Sequence, residues 1–356
     1  MQVPWVIPNY QRQDIEAMKK VLRTKWFTMG PEVKKFEDKV SSYLRIKYAV
    51  AVNNGSSALD VALKCINLHK SDEVIIPALT YIATVNAITN NQGAPVFVDI
   101  DDTLNIDPTL IEEKITEKTK AIMNIDFGGN VCDYTNLLRL CKKYNIHLIV
   151  DGAQSFGSQH KKDMCCTHGL INTTSFHAAK LVTTVEGGMV FTTNKELFKK
   201  AQMIRNQGQS KRYIHPILGN NYRMTDINAA MGSSQMNRFK ETLRHRLDLV
   251  MYYKDHLKNV TYPEELTNTK NSHLFFSILI DKRDKLMKYL SDNRIETRIH
   301  YPCPINKQLI YYTPTVYSKA TEVSQKILSL PLYHSLIRDK QDYVIRKINE
   351  FTKRVP

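Results

Sequence analysis

Residues 175–180, with the sequence SFHAAK, and residues 186–188, EGG, decide how this chain folds. A β-rich run at residues 171–176 precedes the lysine of this stretch, and an apolar run at residues 189–191 follows it. Two such runs close together predict neighbouring strands of a core sheet. Lys180 is therefore predicted to lie on a short turn between two strands.

Lys180 has small and apolar neighbours, although a lysine is normally a solvated surface group. These neighbours are Ala178, Ala179, Leu181 and Val182. Burial of the amine in such surroundings disfavours the ammonium form and lowers its pKa, and a neutral amine is what Schiff-base chemistry requires. The glycines at residues 187–188 allow the backbone to pass close to a bound group. On its own, the stretch indicates a reactive lysine without identifying a reaction.

The size and composition are those of a globular protein with room for a large and a smaller domain. The chain has 356 residues, of which 42% are hydrophobic and 24% charged. The opening sequence MQVPWVIPNYQRQD lacks a signal-peptide pattern, and no apolar run is long enough to span a bilayer, so we expect a cytoplasmic protein with no membrane association. The six cysteines show no paired zinc spacing, so reduced thiols and no metal site are expected.

The net charge of +15 favours an anionic partner. The basic residues form only short, interrupted clusters, such as residues 161–162 and 199–200, and there is no basic tail. We therefore expect no nucleic-acid partner. A small substrate that carries a phosphate or pyrophosphate accounts for the charge equally well.

Helical and extended patterns alternate along the first part of the chain. Strands are predicted at residues 50–52, 73–77, 95–100, 121–127 and 147–150. Helices are predicted at residues 11–23, 32–44, 108–118, 134–144 and 195–206. This alternation predicts an α/β fold around a largely parallel sheet.

The last part of the chain predicts a second, smaller α+β domain. A long helix at residues 225–256 is expected to cross into it, which divides the chain into domains at residues 1–235 and 236–356. Beyond this helix, strands are predicted at residues 274–280 and 297–301, and helices at 285–293, 318–328 and 339–353.

Two polar segments follow predicted strands directly. NNGSS at residues 53–57 lies between a strand and a helix, where free N–H groups and the helix dipole attract a phosphate, although simple N-capping by serine explains such a turn equally well. Asp151 ends the strand at residues 147–150, and ligands gather at the carboxyl ends of strands in open α/β sheets. A lone aspartate there is more often a helix cap, but with Lys180 at another strand end it can pair with the ring nitrogen of pyridoxal phosphate.

Seven motifs occur in one order along the chain and together resemble a known family. They are GSSALDVAL (55–63), PALTYIATVNA (77–87), PVFVDI (95–100), DGAQSFGS (151–158), SFHAAK with EGG (175–188), GNNYRM (219–224) and LSLPLY (328–333). The chain resembles the sugar-nucleotide aminotransferases of the DegT/StrS type across essentially its whole length. The resemblance implies the type I fold of pyridoxal phosphate (PLP)-dependent transferases, the aspartate-aminotransferase fold, and an active site shared across a homodimer.

The resemblance also implies a role for each matching residue. Lys180 corresponds to the lysine that binds the cofactor covalently and moves the proton, and Asp151 to the partner of the pyridine nitrogen. Gln154 corresponds to a residue near the ring hydroxyl, and Tyr81 to an aromatic side chain that stacks on the ring. The implied phosphate ligands are Gly55, Ser56, Ser57, Ser175 and, from the other subunit, Asn221.

The implied reaction is a transamination in two halves. L-glutamate leaves its amino group on the cofactor as pyridoxamine phosphate, and a UDP- or dTDP-linked ketosugar then accepts it. The form of the lysine motif resembles the branch that acts at C4 of 4-keto-6-deoxy sugars, which implies a viosamine-type 4-amino-4,6-dideoxy sugar for glycan synthesis. Segments that approach the sugar in the family contain Gly30, His177, Glu186, Arg223 and His300. Equally, Glu186 could be a turn residue, Arg223 a structural ion-pair partner and His300 a strand residue.

The sequence leaves other functions to be weighed. The substrate could be a 3-keto sugar or a ketone that carries no nucleotide, or the fold could serve a basic regulator that binds a partner without catalysis. Dehydratases also occur among the relatives, but they carry histidine at the position of Lys180. The lysine therefore argues against dehydration, and the set Lys180, Asp151 and Gln154 argues against a protein that only binds.

Overall fold

The computed structural model describes residues 1–354, and it is organised around a seven-stranded sheet. The strands of the chain are β1 (Tyr48–Val52), β2 (Glu73–Pro77), β3 (Ala94–Val98), β4 (Thr119–Ile125), β5 (His147–Asp151), β6 (Gln159–His160), β7 (Asp163–Met164), β8 (Ile171–Ser175), β9 (Gly188–Thr192), β10 (Thr269–Lys270), β11 (Phe276–Leu279) and β12 (Ile327–Leu330). The large sheet has the order β1-β9-β8-β5-β4-β2-β3, and β9 pairs antiparallel to both of its neighbours while the other pairs are parallel. The predicted α/β class with a largely parallel sheet is confirmed.

Helices cover both faces of this sheet, and further helices occur in the rest of the chain. They are α1 (Arg12–Thr24), α2 (Pro31–Leu44), α3 (Gly55–Cys65), α4 (Ile82–Asn90), α5 (Tyr134–Tyr144), α6 (Lys195–Arg205), α7 (Asp226–Met236), α8 (Phe239–His256), α9 (Arg283–Asp292), α10 (Ser318–Lys326) and α11 (Arg338–Arg354). None of the helices within residues 1–354 has both the length and the apolar content needed to cross a bilayer.

A second core lies apart from the large sheet. Phe276 and Ile278 of β11 pack with Leu249 and Tyr253 of α8 and with Ile348 of α11, and all five side chains are buried. Strands β11 and β12 pair antiparallel beneath these helices. This core agrees with a smaller C-terminal unit. The boundaries 1–235 and 236–356 stay a prediction, and residues 355–356 lie outside the described part of the chain.

Two of the predicted helices are wrong in extent. Residues 108–118 contain only the 3₁₀ turn Glu112–Lys114, because Asp107 bonds the N–H and hydroxyl of Thr109 and so holds the backbone in a local turn. The predicted helix 225–256 is divided between α7 and α8. Arg238 lies at the break, where its guanidinium bonds the buried carboxylate of Asp14 on α1 at 2.5 Å and 2.8 Å.

Two predictions near the C-terminus also need correction. The strand expected at residues 297–301 is reduced to one bridge between Arg298 and Ser329. The helix expected at 318–328 ends at Lys326, and the chain continues into β12, where the guanidinium of Arg283 bonds the carbonyl oxygens of Ser324 and Ile327.

Gly188 provides a test of the packing between β9 and the start of α3. A Cβ atom at this position would overlap the carbonyl oxygen of Asn54 and lie 2.9 Å from the backbone nitrogen of Gly55. Because backbone cannot move aside as a flexible side chain can, Gly188→Ala is expected to lower the free energy of unfolding by about 1–3 kcal/mol in urea denaturation. The volume-conserving variant Met189→Leu, one residue away, should cost less than about 1.5 kcal/mol. Equal stability of Gly188→Ala and the parent protein would contradict this packing.

Candidate active site

A cavity of about 630 Å³ opens where β5 and β8 end. It lies at the edge of the sheet where ligands of α/β proteins bind. Ten of the fourteen residues predicted for the site line it, namely Gly55, Ser56, Tyr81, Asp151, Gln154, Ser175, His177, Lys180, Glu186 and His300. The sheet thus brings together residues that are far apart in the sequence.

The N-terminus of α3 forms one end of this cavity. Asn54 caps the helix, since its side-chain oxygen accepts a hydrogen bond of 2.8 Å from the N–H of Ser57. The N–H groups of Gly55 and Ser56 belong to the first turn and have no intrahelical acceptor. Ser175 packs so closely that a Cβ at Gly55 would lie 2.8 Å from the serine Cβ. Free N–H groups, two serine hydroxyls and the helix dipole form a site for an anion.

Asp151 lies in the floor of the cavity and is only 4% exposed. Its Oδ2 accepts a hydrogen bond of 2.8 Å from the hydroxyl of Thr84, and its Oδ1 accepts one of 3.1 Å from the N–H of Ala153. Burial raises the pKa of Asp151, whereas these two hydrogen bonds and the charge of Lys180 lower it. The carboxylate is therefore held in a fixed orientation where it can pair with a protonated nitrogen.

Lys180 lies opposite, on the turn between β8 and β9 as predicted. The turn is closed by a hydrogen bond of 2.9 Å from the N–H of Lys180 to the carbonyl oxygen of His177. Burial lowers the pKa of Lys180 to about 8, and the Asp151 carboxylate acts in the opposite direction. A substantial fraction of the amine is therefore neutral near pH 8 and can attack a carbonyl group.

Gln154 is held by the backbone of the neighbouring loop. Its Oε1 accepts a hydrogen bond of 2.7 Å from the N–H of Gly128, which leaves its Nε2 towards the hydroxyl of Tyr301 at 3.4 Å. The rings of Tyr301 and Tyr81 lie 6.1 Å apart, and Tyr81 is 56% exposed. Tyr81 thus presents an open aromatic face to the cavity.

An aromatic wall closes another side of the cavity. The ring of His300 stacks on Phe275 at 3.9 Å and lies 5.1 Å from Trp5. Its Nδ1 lies 2.9 Å from the hydroxyl of Ser329. Burial, aided by the charges of Lys180 and Arg298, lowers the pKa of His300 to about 4. His300 is therefore a neutral ring at physiological pH.

Four residues that line the cavity were not predicted from the sequence, namely Thr84, Tyr301, Trp5 and Phe275. Thr84 follows Tyr81 by one helical turn, and Tyr301 directly follows His300. Their positions next to predicted site residues are a signal in the sequence that could have identified both. Trp5 and Phe275 come from distant segments that carry no local signal.

His177 and Glu186 lie at the more exposed part of the lining. Their Nε2 and Oε1 atoms are 3.8 Å apart, and both side chains are more than half exposed. Such a pair in contact with water contributes little stability, so both groups remain available to a ligand.

Four predicted residues do not line the cavity of this chain. Ser57 is buried behind the helix cap, and the N–H of Gly30 is held by Asp226 Oδ2 at 2.7 Å. Arg223 donates to Asn206 Oδ1 at 2.9 Å, and Asn221 forms a backbone bridge with the same residue. Any contact of Asn221 with a ligand in a neighbouring subunit stays a prediction.

Comparison with known proteins shows the family to which the chain belongs. The model of the DegT/DnrJ/EryC1/StrS aminotransferase family matches residues 8–349. The chain is 34% identical to GDP-perosamine synthase from Escherichia coli O157:H7, with 98% of both chains covered. It is 32% identical to dTDP-3-amino-3,6-dideoxy-alpha-D-galactopyranose transaminase from Aneurinibacillus thermoaerophilus, with 96% of both covered. The PLP form of Spr1654 from Streptococcus pneumoniae superposes with a TM-score of 0.94 at 27% identity and 100% coverage of both chains, and a pyridoxamine phosphate (PMP) form of it is also known.

The pKa of Lys180 predicts its reactivity as a function of pH. Because the neutral amine reacts, labelling of Lys180 in the cofactor-free protein by an amine-selective reagent should reach half its maximal rate near pH 8. Ordinary lysines should do so near about pH 10.4. Asp151→Asn removes the charge that raises this pKa, so its midpoint should lie lower still. Mass spectrometry of the labelled peptides measures both, with exposed lysines as internal standards, and a midpoint at the ordinary lysine value would show that the amine is solvated.

Proposed function

Since the chain belongs to the DegT/DnrJ/EryC1/StrS aminotransferase family, we propose that it transfers the amino group of L-glutamate to C4 of a nucleotide-linked 4-keto-6-deoxyhexose. The protein is a PLP-dependent sugar-nucleotide aminotransferase with the type I fold. The proposed product is a 4-amino-4,6-dideoxy sugar of the viosamine type, linked to UDP or dTDP. The observation that carries the proposal is one cavity that holds a lysine of lowered pKa and a buried, hydrogen-bonded aspartate.

The cavity fits the cofactor at four points. The first turn of α3, with Gly55, Ser56 and Ser175, supplies the cradle for its phosphate. Asp151 lies where a carboxylate can pair with the pyridine nitrogen, and Tyr81 offers an open ring face for stacking. Gln154, whose Nε2 points towards Tyr301, would contact the ring hydroxyl of the cofactor.

Pyridoxal phosphate, when bound, supplies an electrophilic carbonyl group and a ring that withdraws electrons from the reacting carbon. Asp151 holds the proton on the ring nitrogen, since a buried carboxylate is neutralised best by such a partner. In each half of the reaction, Lys180 Nζ would accept a proton from one carbon and deliver it to another, and its lowered pKa places it near the optimum for a general base. Thr84 and the N–H of Ala153 keep Asp151 in place throughout.

The choice of C4 is supported by the sequence around Lys180, and the choice of nucleotide is supported only by the family. Of the two relatives compared above, one is named for a GDP-linked sugar and the other for a dTDP-linked 3-amino sugar. Transfer to a 3-keto sugar is therefore the second candidate, and GDP belongs among the nucleotides to be tested. His177 and Glu186 are proposed to contact the sugar, since they line the exposed side of the cavity.

A homodimer with shared active sites is also proposed. The loop between α6 and α7 exposes Tyr213, Ile214 and Leu218, which are 80%, 55% and 90% exposed in the single chain. Large apolar side chains clustered on one loop indicate a surface that another chain covers. Asn221 follows on the same segment and does not line the cavity of its own chain. We therefore propose that it contributes to the cavity of the partner subunit.

The substrate assignment predicts a defined product. The PLP-loaded protein with L-glutamate should convert UDP- or dTDP-4-keto-6-deoxyglucose into an amino sugar, and mass spectrometry should detect the exchange of the ketone for an amine. Lys180→Ala should form no product because no other amine takes its place. Asp151→Asn should lose at least about 10²-fold in rate, since the ring nitrogen loses its charged partner.

Three outcomes separate the possibilities. An amine from a GDP-linked 4-keto sugar would keep the C4 assignment and change the nucleotide. An amine from a 3-keto sugar alone would overturn the C4 assignment. Bleaching of the cofactor colour by L-glutamate with no amine from any sugar would leave a transaminase with another acceptor.

The shared site predicts complementation between two variants. Lys180→Ala and Asn221→Ala should each be impaired at limiting PLP, the first completely and the second by roughly tenfold through loss of a hydrogen bond to a charged phosphate. In a mixed dimer, one site receives Lys180 from one subunit and Asn221 from the other, so activity should exceed the sum of the separate variants. Additive activities, or a monomer in sedimentation analysis, would overturn the arrangement.

A further inference from the structure

A small cleft lies beside Lys180. Most of the residues that line this cleft do not line the large cavity. It is bounded by residues 5–9, by the turn at residues 178–181, by Arg246 on α8 and by Tyr333 and His334 after β12. We call this the Arg246 cleft. Trp5, Ala179, Lys180, Leu274 and Phe275 line both spaces, so the cleft and the cavity are neighbours.

Arg246 is a partly buried cation that has no acidic partner within residues 1–354. Its Nε donates to the carbonyl oxygen of His273 and its Nη2 to that of Leu274, both at 2.6 Å. Burial alone lowers the pKa of Arg246 to about 9, and no carboxylate opposes this shift. The group is still charged at neutral pH, and a buried charge requires compensation.

Two further polar groups of the same cleft lack partners. Tyr333 is only 2% exposed, and its hydroxyl has no hydrogen-bond partner among residues 1–354. The Nδ1 atom of the adjacent His334 is likewise buried and unpartnered within that part of the chain. Buried polar atoms of this kind are nearly always satisfied, so two of them beside the charge of Arg246 in one small space indicate an occupant.

The charge of the lining indicates the sign of that occupant. Lys180 and Arg246 are the cationic residues in it, and no aspartate or glutamate lines the cleft in the described chain. Arg246 Nη1 and Tyr333 Oη are donors, and His334 Nδ1 donates in one of its tautomers. Donors and positive charge, with no carboxylate in the lining within residues 1–354, favour an anion over a cation or an apolar group.

The size of the cleft limits which anion it can hold. Its volume of about 30 Å³ accommodates about two water-sized groups. A halide ion or a single carboxylate group fits this space, whereas a phosphate ester, a nucleotide or a sugar does not. Water by itself would satisfy the hydrogen bonds but would leave the charge of Arg246 uncompensated.

We propose that the Arg246 cleft binds one small monovalent anion, a carboxylate or a halide, between Arg246, Tyr333 and His334. Since the cleft borders the turn of Lys180, the anion ties α8 and the segment after β12 to the catalytic turn. The anion has two chemical sources, which are a free ion from solution and a carboxylate of the amino donor. The second source rests on the proposed transfer from L-glutamate.

The first experiment measures thermal unfolding of the PLP-loaded protein in increasing chloride, with methanesulfonate replacing chloride to hold the ionic strength constant. Methanesulfonate is used rather than gluconate, because gluconate carries a carboxylate that the cleft could bind, whereas a tetrahedral sulfonate is too large for it. Specific binding of chloride to the folded state should raise the melting temperature by about 2 °C and then saturate. Tyr333→Phe, which removes only the hydroxyl, should flatten this dependence. Tyr253→Phe is the matched control, because Tyr253 is buried in the same core but bonds the carbonyl oxygen of Pro331.

Crystals grown in bromide give a structural readout that needs no catalysis. An anomalous peak within hydrogen-bond distance of Arg246 is expected in the parent protein. A rise in melting temperature that does not saturate, or that is equal in the parent and in Tyr333→Phe, would overturn the proposal, as would an empty cleft in bromide. These measurements are independent of turnover, so a negative sugar assay would bear on the proposed function and not on this site.

A second experiment distinguishes the two sources. Bleaching of the cofactor absorbance by L-glutamate is measured with and without chloride. If the donor carboxylate occupies the cleft, chloride and Tyr333→Phe should each raise the half-saturating glutamate concentration, the variant by roughly tenfold. If a free ion occupies it, chloride should stabilise the protein and leave the half-saturating concentration unchanged.

Discussion

The antiparallel insertion of β9 between β1 and β8 is the constraint on which the site depends. Gly188, at the start of β9, pairs with Val52 at the end of β1 and with Ser175 at the end of β8. Because it has no side chain, the backbone at Asn54 can pack directly against it. One reversed strand therefore brings the N-terminus of α3, the end of β8 and the turn that carries Lys180 to one edge of the sheet.

At this edge, burial shifts the pKa values of two oppositely charged groups. Desolvation lowers the pKa of Lys180 and raises that of Asp151, and each group partly offsets the shift of the other. The hydrogen bonds from Thr84 and Ala153 favour the charged form of Asp151 despite its burial. The outcome is an amine that is easily deprotonated beside a buried, hydrogen-bonded carboxyl group, which are the two protein groups that transamination by pyridoxal phosphate requires.

The same turn connects the cofactor cavity to the rest of the molecule. On one side Lys180 faces the cavity, and on the other it borders the Arg246 cleft, where α8 and the segment after β12 meet the first residues of the chain. The aromatic wall of Trp5, Phe275 and His300 separates the two spaces with neutral, closely stacked rings.

The sequence by itself determined those features that arise from neighbouring residues. The strand Glu73–Pro77 and the helix Tyr134–Tyr144 were predicted with the observed bounds, because their apolar periodicity and flanking residues are local signals. Lys180, Asp151 and the turn before α3 were likewise found from strand-end positions and motif order. The tertiary structure alone decided that the predicted helix 225–256 breaks at Arg238, whose guanidinium bonds the carboxylate of Asp14 on α1. It also decided that Trp5, Phe275 and Arg246 meet beside the lysine, because contacts between segments so far apart depend on the register of the sheet and on how the two cores pack.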